Sequence, residues 1–148
     1  AVRNNGRQCN CGKVGCLETY ASAIGVARTA REWLDMSDEP SLLRSLEVIS
    51  SKDVYDAAIA GDSIAKKVFE FTGQKLGESF ADFVAFSTPE AIILFGGLAE
   101  AGDLIMKPIV EAMEANLLSI WKGGKVKVLR SGLKDSDAAI LGAGALAW

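Results

Sequence analysis

Three cysteines, Cys9, Cys11 and Cys16, lie within eight residues near the start of the chain, and the sequence contains no others. Residues 1–18 around them are rich in Asn and Gly and show no apolar periodicity. This composition predicts an irregular loop that becomes ordered only when something outside its own backbone, such as a metal ion, holds it. Zinc binds nitrogen and sulfur ligands tetrahedrally, and Gly12 and Gly15 stand where the chain must turn to gather thiolates around one ion. The spacing therefore predicts a zinc-binding loop over residues 1–18.

Two alternative roles for the cysteines stay open. They could be buried core side chains, or two of them could form a disulfide that leaves the third thiol free. A disulfide is disfavoured because the chain is acidic and begins without a secretory leader, and we predict a cytoplasmic protein. The sequence has no histidine, so the fourth zinc ligand must be a carboxylate, a water molecule or a group from a segment outside this chain.

Composition excludes several classes of protein. With 148 residues, 49% of them hydrophobic and 24% charged, the chain is typical of one globular domain. The net charge is -3 and no basic cluster exceeds Lys66–Lys67, so we expect this segment to bind no nucleic acid. The apolar stretch 138–148 is interrupted by glycines and is too short to span a membrane, so we predict a buried terminal helix there.

Apolar residues recur at helical spacing over several segments, which predicts helices at 20–36, 51–61, 62–86, 102–120 and after Asp137. A short amphipathic turn should begin at Ser41. In the long helix, Ile64, Val68, Phe71, Leu76, Phe80, Phe83 and Val84 form one apolar stripe, interrupted only by Gly73 and Gly77.

Two segments have the character of β-strands. Residues 91–95 are a continuous apolar run closed by Gly96–Gly97, which predicts a strand buried on both faces. Residues 125–129 alternate polar and apolar side chains, which predicts a second strand nearer an edge. Strands alternating with helices indicate an α/β fold with parallel strands and crossover helices. Because two parallel strands make a poor domain, we expect the rest of the sheet in another part of a longer parent chain.

The segment from Gly6 to Glu18 resembles the zinc signature of the ROK family, Cys-x-Cys-Gly-x-x-Gly-Cys-x-Glu, at every fixed position. Residues 60–62, 89–97 and 139–143 are also similar to that family, in the same order and spacing. The resemblance implies an actin-like ATPase fold, also called ribonuclease H-like. Residues 19–148 would be the C-terminal α/β lobe of a kinase whose N-terminal lobe is absent from this chain, and the fourth zinc ligand would be a histidine just before Ala1.

The resemblance also implies roles for individual residues. Glu18 would accept hydrogen bonds from sugar hydroxyls, although a first-turn Glu that favours its helix dipole is the alternative. Gly96 and Gly97 would lie near the ribose and phosphates of ATP, although a glycine pair after a strand is more often a simple turn. Cys9, Cys11 and Cys16 would bind a structural Zn²⁺. No catalytic residue is identified in this chain.

The function implied by the resemblance is phosphorylation of a hexose by ATP and Mg²⁺, as in bacterial glucokinases, with this chain alone inactive. The partners would be a hexose, ATP and the missing N-terminal lobe, and we also expect a homo-oligomer. A ROK transcriptional repressor, which would add a DNA-binding helix-turn-helix upstream, is the alternative. A freestanding zinc-binding interaction module is the third hypothesis.

Overall fold

The computed structural model describes residues 1–2, 4–133 and 135–146, and only the backbone of residues 135–139. After the loop of residues 1–17, the described chain forms helices α1 to α6 and strands β1 and β2. Short 3₁₀ turns lie at Leu42–Ser45, Ala99–Ala101 and Ser119–Trp121. In chain order the elements are α1 Glu18–Ala21, α2 Ala23–Met36, α3 Ser51–Ile59, α4 Ser63–Ser87, β1 Ala91–Leu94, α5 Asp103–Asn116, β2 Lys127–Arg130 and α6 Asp135–Ala145.

Side-chain caps explain where three of the helices begin. The Ser22 hydroxyl accepts a hydrogen bond from the Gly25 N–H at the start of α2 (3.1 Å). Ser50 and Asp53 form a reciprocal capping box at α3, and Asp62 accepts from the Ala65 N–H at α4 (2.9 Å). Each cap satisfies an N–H that has no partner within its own helix.

The core lies between α2, α3, α4 and α5. It contains the fully buried side chains of Val26, Val54, Val68, Phe69, Ile105 and Ile109, among others. Burial of this apolar surface is the main stabilising contribution in this part of the molecule.

Gly73 and Gly77 do not interrupt α4 but let α5 approach it closely. A Cβ atom at Gly77 would lie 2.4 Å from the Ile109 carbonyl oxygen, and one at Gly73 would lie 2.6 Å from Pro108 Cγ. The two glycines therefore mark the contact line of the α4–α5 pair.

Strands β1 and β2 are parallel, with Ile92 opposite Val128 and Ile93 opposite Leu129. The predicted α/β class with parallel strands and a crossover helix is confirmed. The prediction that the first strand is buried on both faces is wrong for the described residues, because Ile93 is 65% exposed and Leu129 44% exposed. Ile92 and Val128 pack on the core, so the described residues cover only one face of the sheet.

Some helix boundaries differ from those predicted. The predicted helix 20–36 is divided at Ser22, whose extended backbone ends α1 and caps α2. The helix predicted to end at residue 120 ends at Asn116, and the last helix begins at Asp135, before Asp137, since acidic residues also suit a first turn.

Two predictions of burial are also wrong. Phe83, a member of the predicted apolar stripe, is 52% exposed, because it lies on the outer side of α4 while the next residue, Val84, is fully buried. The terminal helix exposes Ile140 and Leu141, and Leu146 just after it is exposed too, because nothing in the described part of the chain packs over them. In the part of the chain that the structure describes, no helix has both the length and the apolar character needed to cross a membrane.

Candidate metal and ligand sites

The cysteine loop is folded by backbone hydrogen bonds and two left-handed glycines. The Cys9 N–H donates to the Lys13 carbonyl (2.9 Å), and the Gly12 N–H donates back to the Cys9 carbonyl (3.0 Å). Gly12 and Gly15 have φ of 86° and 75°, a region that L-residues with a side chain rarely adopt. The prediction that the loop turns at these two glycines is confirmed.

The three sulfur atoms lie within 4.8 Å of one another, and Cys11 Sγ and Cys16 Sγ are 3.5 Å apart. Two thiolates on a tetrahedral zinc ion, each about 2.3 Å from the metal, would be about 3.8 Å apart. No cysteine is in a disulfide. The residues therefore fit a metal ion, and among the described residues no carboxylate oxygen joins the three sulfurs as a fourth ligand.

Proximity changes the acidity of the thiols in opposite directions. A hydrogen bond from the Lys13 backbone, with contacts from the neighbouring sulfurs, lowers the pKa of Cys11. Contacts with the Cys11 and Cys9 sulfurs raise the pKa of Cys16 to about 11. Three thiolates this close repel one another, so a bound cation is the natural way to ionise all of them.

Arg7 connects this loop to the helices, a role that the sequence did not reveal. Its side chain is 8% exposed, and the guanidinium group donates to the Thr19 carbonyl (2.7 Å), the Thr29 hydroxyl (2.8 Å) and the Glu32 carboxylate (2.6 Å). It also lies over the Tyr20 ring, 4.6 Å from the centroid. Its partners are 12 to 25 residues away in sequence, so no local pattern could have identified them.

Glu32 is the charged partner of Arg7. Partial burial would raise the pKa of Glu32, but hydrogen bonds from Arg28 and Arg7 outweigh that effect and lower it. The carboxylate is ionised at neutral pH, and its charge strengthens its bond to the guanidinium group.

Glu18 is exposed and is the first residue of α1, immediately after the cysteine loop. Its carbonyl accepts a hydrogen bond from the Ser22 N–H (3.2 Å). With Asn10, Ser22 and Arg28, among others, it lines a cavity of about 100 Å³ between the loop and α2. The carboxylate is thus accessible to a small polar ligand.

Gly96 and Gly97 follow β1 and line a larger cavity of about 630 Å³. Gly96 has a φ of 98°, and a Cβ at either glycine would meet nothing within 4 Å, so the pair leaves open space. The lining also contains Ser51 and Tyr55 of α3 and Phe69 of α4. These wall residues were not predicted from the sequence, because only the packing of α3 beside the β1–α5 connection brings them together.

The two cavities adjoin at the junction of α1 and α2. Ser22 lines both of them, with Glu18 on one side and the Gly96–Gly97 turn on the other. The structure therefore places the cysteine loop, Glu18 and the glycine turn around one region of the surface.

Comparison with known proteins gives consistent results. The model of the ROK family matches residues 1–148. A glucokinase from Halalkalibacterium halodurans is 37% identical over 147 residues, which cover 97% of this chain and 44% of that enzyme. A transcription factor matches as well: the DNA-binding transcriptional dual regulator NagC of Escherichia coli is 29% identical over 133 residues, covering 90% of this chain and 32% of that protein.

Among solved structures, a ROK family glucokinase from Streptomyces griseus, in complex with glucose and AMPPNP, superimposes with a TM-score of 0.84 and 30% identity. The match covers 98% of this chain and 48% of that chain. The predicted relation to an actin-like ATPase fold is confirmed by this neighbour. The chain spans about half the length of the glucokinases it matches.

Proposed function

The chain belongs to the ROK family, and on that premise we propose that it is the C-terminal lobe of an ATP-dependent hexose kinase of the glucokinase type. In this proposal the activity belongs to the full-length parent, and residues 1–148 alone are inactive. The chain contributes a structural zinc loop over residues 1–18, one sugar contact and part of the nucleotide site. The uncovered sheet face at Ile93 and Leu129 supports a larger parent domain.

The sugar contact is Glu18. A carboxylate accepts hydrogen bonds strongly through two oxygens, as a ligand with several hydroxyl groups requires. Cys9, Cys11 and Cys16 bind Zn²⁺ in this proposal, which would make the loop rigid and so fix the start of α1. The complex of the Streptomyces griseus glucokinase with glucose supports a hexose as the ligand class.

The nucleotide site is the cavity at Gly96 and Gly97. Two residues without side chains let a backbone approach phosphates or ribose closely, and the half-buried Tyr55 offers aromatic surface to the cavity. AMPPNP in the Streptomyces griseus structure supports ATP as the ligand. Mg²⁺ would accompany ATP and spread the charge that develops on the transferred phosphoryl group.

One observation carries the proposal: Ser22 lines both the cavity beside Glu18 and the cavity beside Gly96–Gly97. Phosphoryl transfer to a hydroxyl requires that the two substrates be held next to each other, since positioning supplies much of the rate. A cytoplasmic location and a homo-oligomer remain predictions.

The test is the change of Glu18→Gln in the full-length protein, with Glu111→Gln, on the exposed side of α5, as the matched control. A lost charge-assisted hydrogen bond costs about 1.5–3 kcal/mol, so the KM for hexose should rise by about 10-fold or more. The KM for ATP should stay within about 2-fold, since Glu18 does not line the nucleotide cavity. Steady-state kinetics with both substrates varied measures this.

The similarity to NagC supports a second candidate, a sugar-responsive repressor. If the wild-type protein transfers no phosphoryl group to any hexose but releases an operator DNA on binding one, the repressor replaces the kinase. Glu18→Gln would then weaken sugar binding in calorimetry without any turnover to measure.

A further inference from the structure

We propose that Arg7 is a positioning residue for Glu18: it holds the first turn of α1 against α2, so that the carboxylate meets the sugar in a fixed orientation. The inference rests on the proposed sugar contact of Glu18. It assigns a role to a residue that binds neither metal nor substrate.

The metal loop by itself leaves the position of Glu18 incompletely fixed. All three sulfur ligands belong to residues 9–16, so an ion bound there makes the loop rigid and reaches α1 only through the backbone of Cys16, and α2 contributes no ligand to it. Cys9 is the only buried apolar side chain of the described part of residues 1–17. Apolar packing of the loop is therefore too slight to set its orientation on α2.

Arg7 supplies the missing connection. Its carbonyl accepts the Gly15 N–H (2.8 Å), which ties its backbone to the cysteine loop. Its guanidinium group reaches the Thr19 carbonyl on α1 and the Thr29 hydroxyl on α2 at the same time. One side chain therefore connects the loop with both helices.

The two restraints meet at Thr19, the residue after Glu18. The N–H and hydroxyl of Thr19 both donate to the carbonyl of the ligand residue Cys16, at 3.0 and 2.7 Å. Its own carbonyl accepts from Arg7 at 2.7 Å. Glu18 thus lies between Cys16, which the metal loop fixes, and Thr19, which Arg7 fixes. A binding group needs such support from its neighbours to be held in a precise position.

Only arginine suits this position. Its planar group presents five donors in a fixed fork, which lets it bond a carbonyl on one helix and a carboxylate on another together. Lysine would keep the positive charge beside Glu32 but offers one compact ammonium, which cannot reach Thr19 and Glu32 in the same planar geometry. Arg7→Lys should therefore keep the ion pair and lose the connection to α1.

The experiment uses the full-length protein with Arg7→Ala, Arg7→Lys, Glu18→Gln and the control Arg31→Ala. Arg31 also ties a loop to α2, through the Glu47 carbonyl (2.7 Å), but neither of these two residues lines the cavity beside Glu18 or the cavity at Gly96–Gly97. The measurements are KM for hexose and for ATP, kcat, zinc content, and the absorption spectrum of the Co²⁺-substituted loop.

Misplacing a binding group can lower the rate of an enzyme by up to about 100-fold. Because Glu18 is proposed to bind the sugar, its displacement in Arg7→Ala should raise the KM for hexose by about 10-fold or more. The KM for ATP should change less than about 2-fold, zinc content and the Co²⁺ spectrum should stay as in the wild type, and Arg7→Lys should resemble Arg7→Ala. Arg31→Ala should leave both KM values unchanged.

Three outcomes would overturn the inference. If Glu18→Gln impairs sugar binding while Arg7→Lys and Arg7→Ala do not, Arg7 has no positioning role and the proposed function stands. If Arg7→Ala raises both KM values together, or loses zinc, its role is to maintain the fold or the metal loop. If the wild type neither phosphorylates nor binds a hexose, the proposed function fails first and the role of Arg7 with it. Should Arg7→Ala not fold, Arg7→Lys gives the same comparison.

Discussion

The cysteine loop of residues 1–17 and the helical body from α2 to α5 are ordered by different physical means. The body buries a continuous apolar core that includes Val68, Phe69 and Ile109. The loop has one buried apolar side chain among its described residues, and its order comes from backbone hydrogen bonds, Arg7 and three sulfurs suited to a metal. The proposed binding residue Glu18 lies at the boundary, so its geometry depends on the less self-sufficient of the two regions.

This difference predicts that each region can be disrupted without the other. Variants in the loop should change metal and sugar binding and leave the helices folded. Variants in the body should lower global stability and leave the metal content unchanged in the fraction that remains folded.

The largest effect is expected from Cys11→Ser in the full-length protein. A structural zinc site can contribute about 10–16 kcal/mol of apparent binding free energy, so losing one of three thiolates should remove the metal and disorder the loop. The zinc content measured by metal analysis should fall from about one ion per chain to none. Limited proteolysis should cleave first within residues 1–17, and circular dichroism should show that the helices are retained. Asn10→Ser, between two ligands, is the control and should keep the metal. Unfolding of the helices together with metal loss would contradict the separation of the two regions.

A smaller effect, confined to the body, is expected from Gly77→Ala. The new methyl group would lie 2.4 Å from the Ile109 carbonyl, so α5 must shift away from α4. We expect a loss of about 1–3 kcal/mol in the free energy of unfolding, the usual cost of overpacking, measured by urea denaturation. Gln74→Ala on the exposed side of the same helix should change stability by less than about 0.5 kcal/mol. Full zinc content in the folded fraction would support the distinction, and metal loss would argue against it.

The smallest effect is expected from Asp62→Asn at the start of α4. One carboxylate oxygen accepts from the Ala65 N–H and the other from the Leu42 N–H (2.6 Å), and an amide can replace only one of them. The loss should be about 1 kcal/mol at neutral pH, measured by urea denaturation.

The same residue predicts a pH dependence. Burial opposes ionisation, but hydrogen bonds from Ala65, Ser41 and Leu42 lower the pKa of Asp62 overall. A carboxylate with a lowered folded pKa stabilises the protein above its unfolded value, about 3.9, and this contribution is lost as the pH falls through the folded pKa. Asp62→Asn should therefore destabilise the protein at pH 7 more than at pH 3. Gln74→Ala, which changes no titratable group, should have the same small effect at both pH values.

The sequence predicted the elements whose causes are local. The apolar run 91–95 and the starts of the helices near Ser51 and Asp62 are readable within a few residues, and the two loop glycines have the left-handed backbone that their positions required. The resemblance supplied Glu18 and the glycine turn. Arg7 and the cavity wall at Tyr55 and Phe69 depend on contacts between residues far apart in sequence, and no local pattern encodes those. The exposure of Ile93 likewise depends on what covers the sheet, which an apolar run cannot reveal.

The close crossing of α4 and α5 has a consequence for the turn at Gly96 and Gly97. Helix α5 connects β1 to β2, and its contact through Gly73 and Gly77 fastens that connection to the longest helix of the molecule. The packed pair of α4 and α5 therefore restrains the end of the turn that leads into α5. Under the proposed function, a nucleotide would bind against a turn that is already ordered, and little of its affinity would be lost in ordering it.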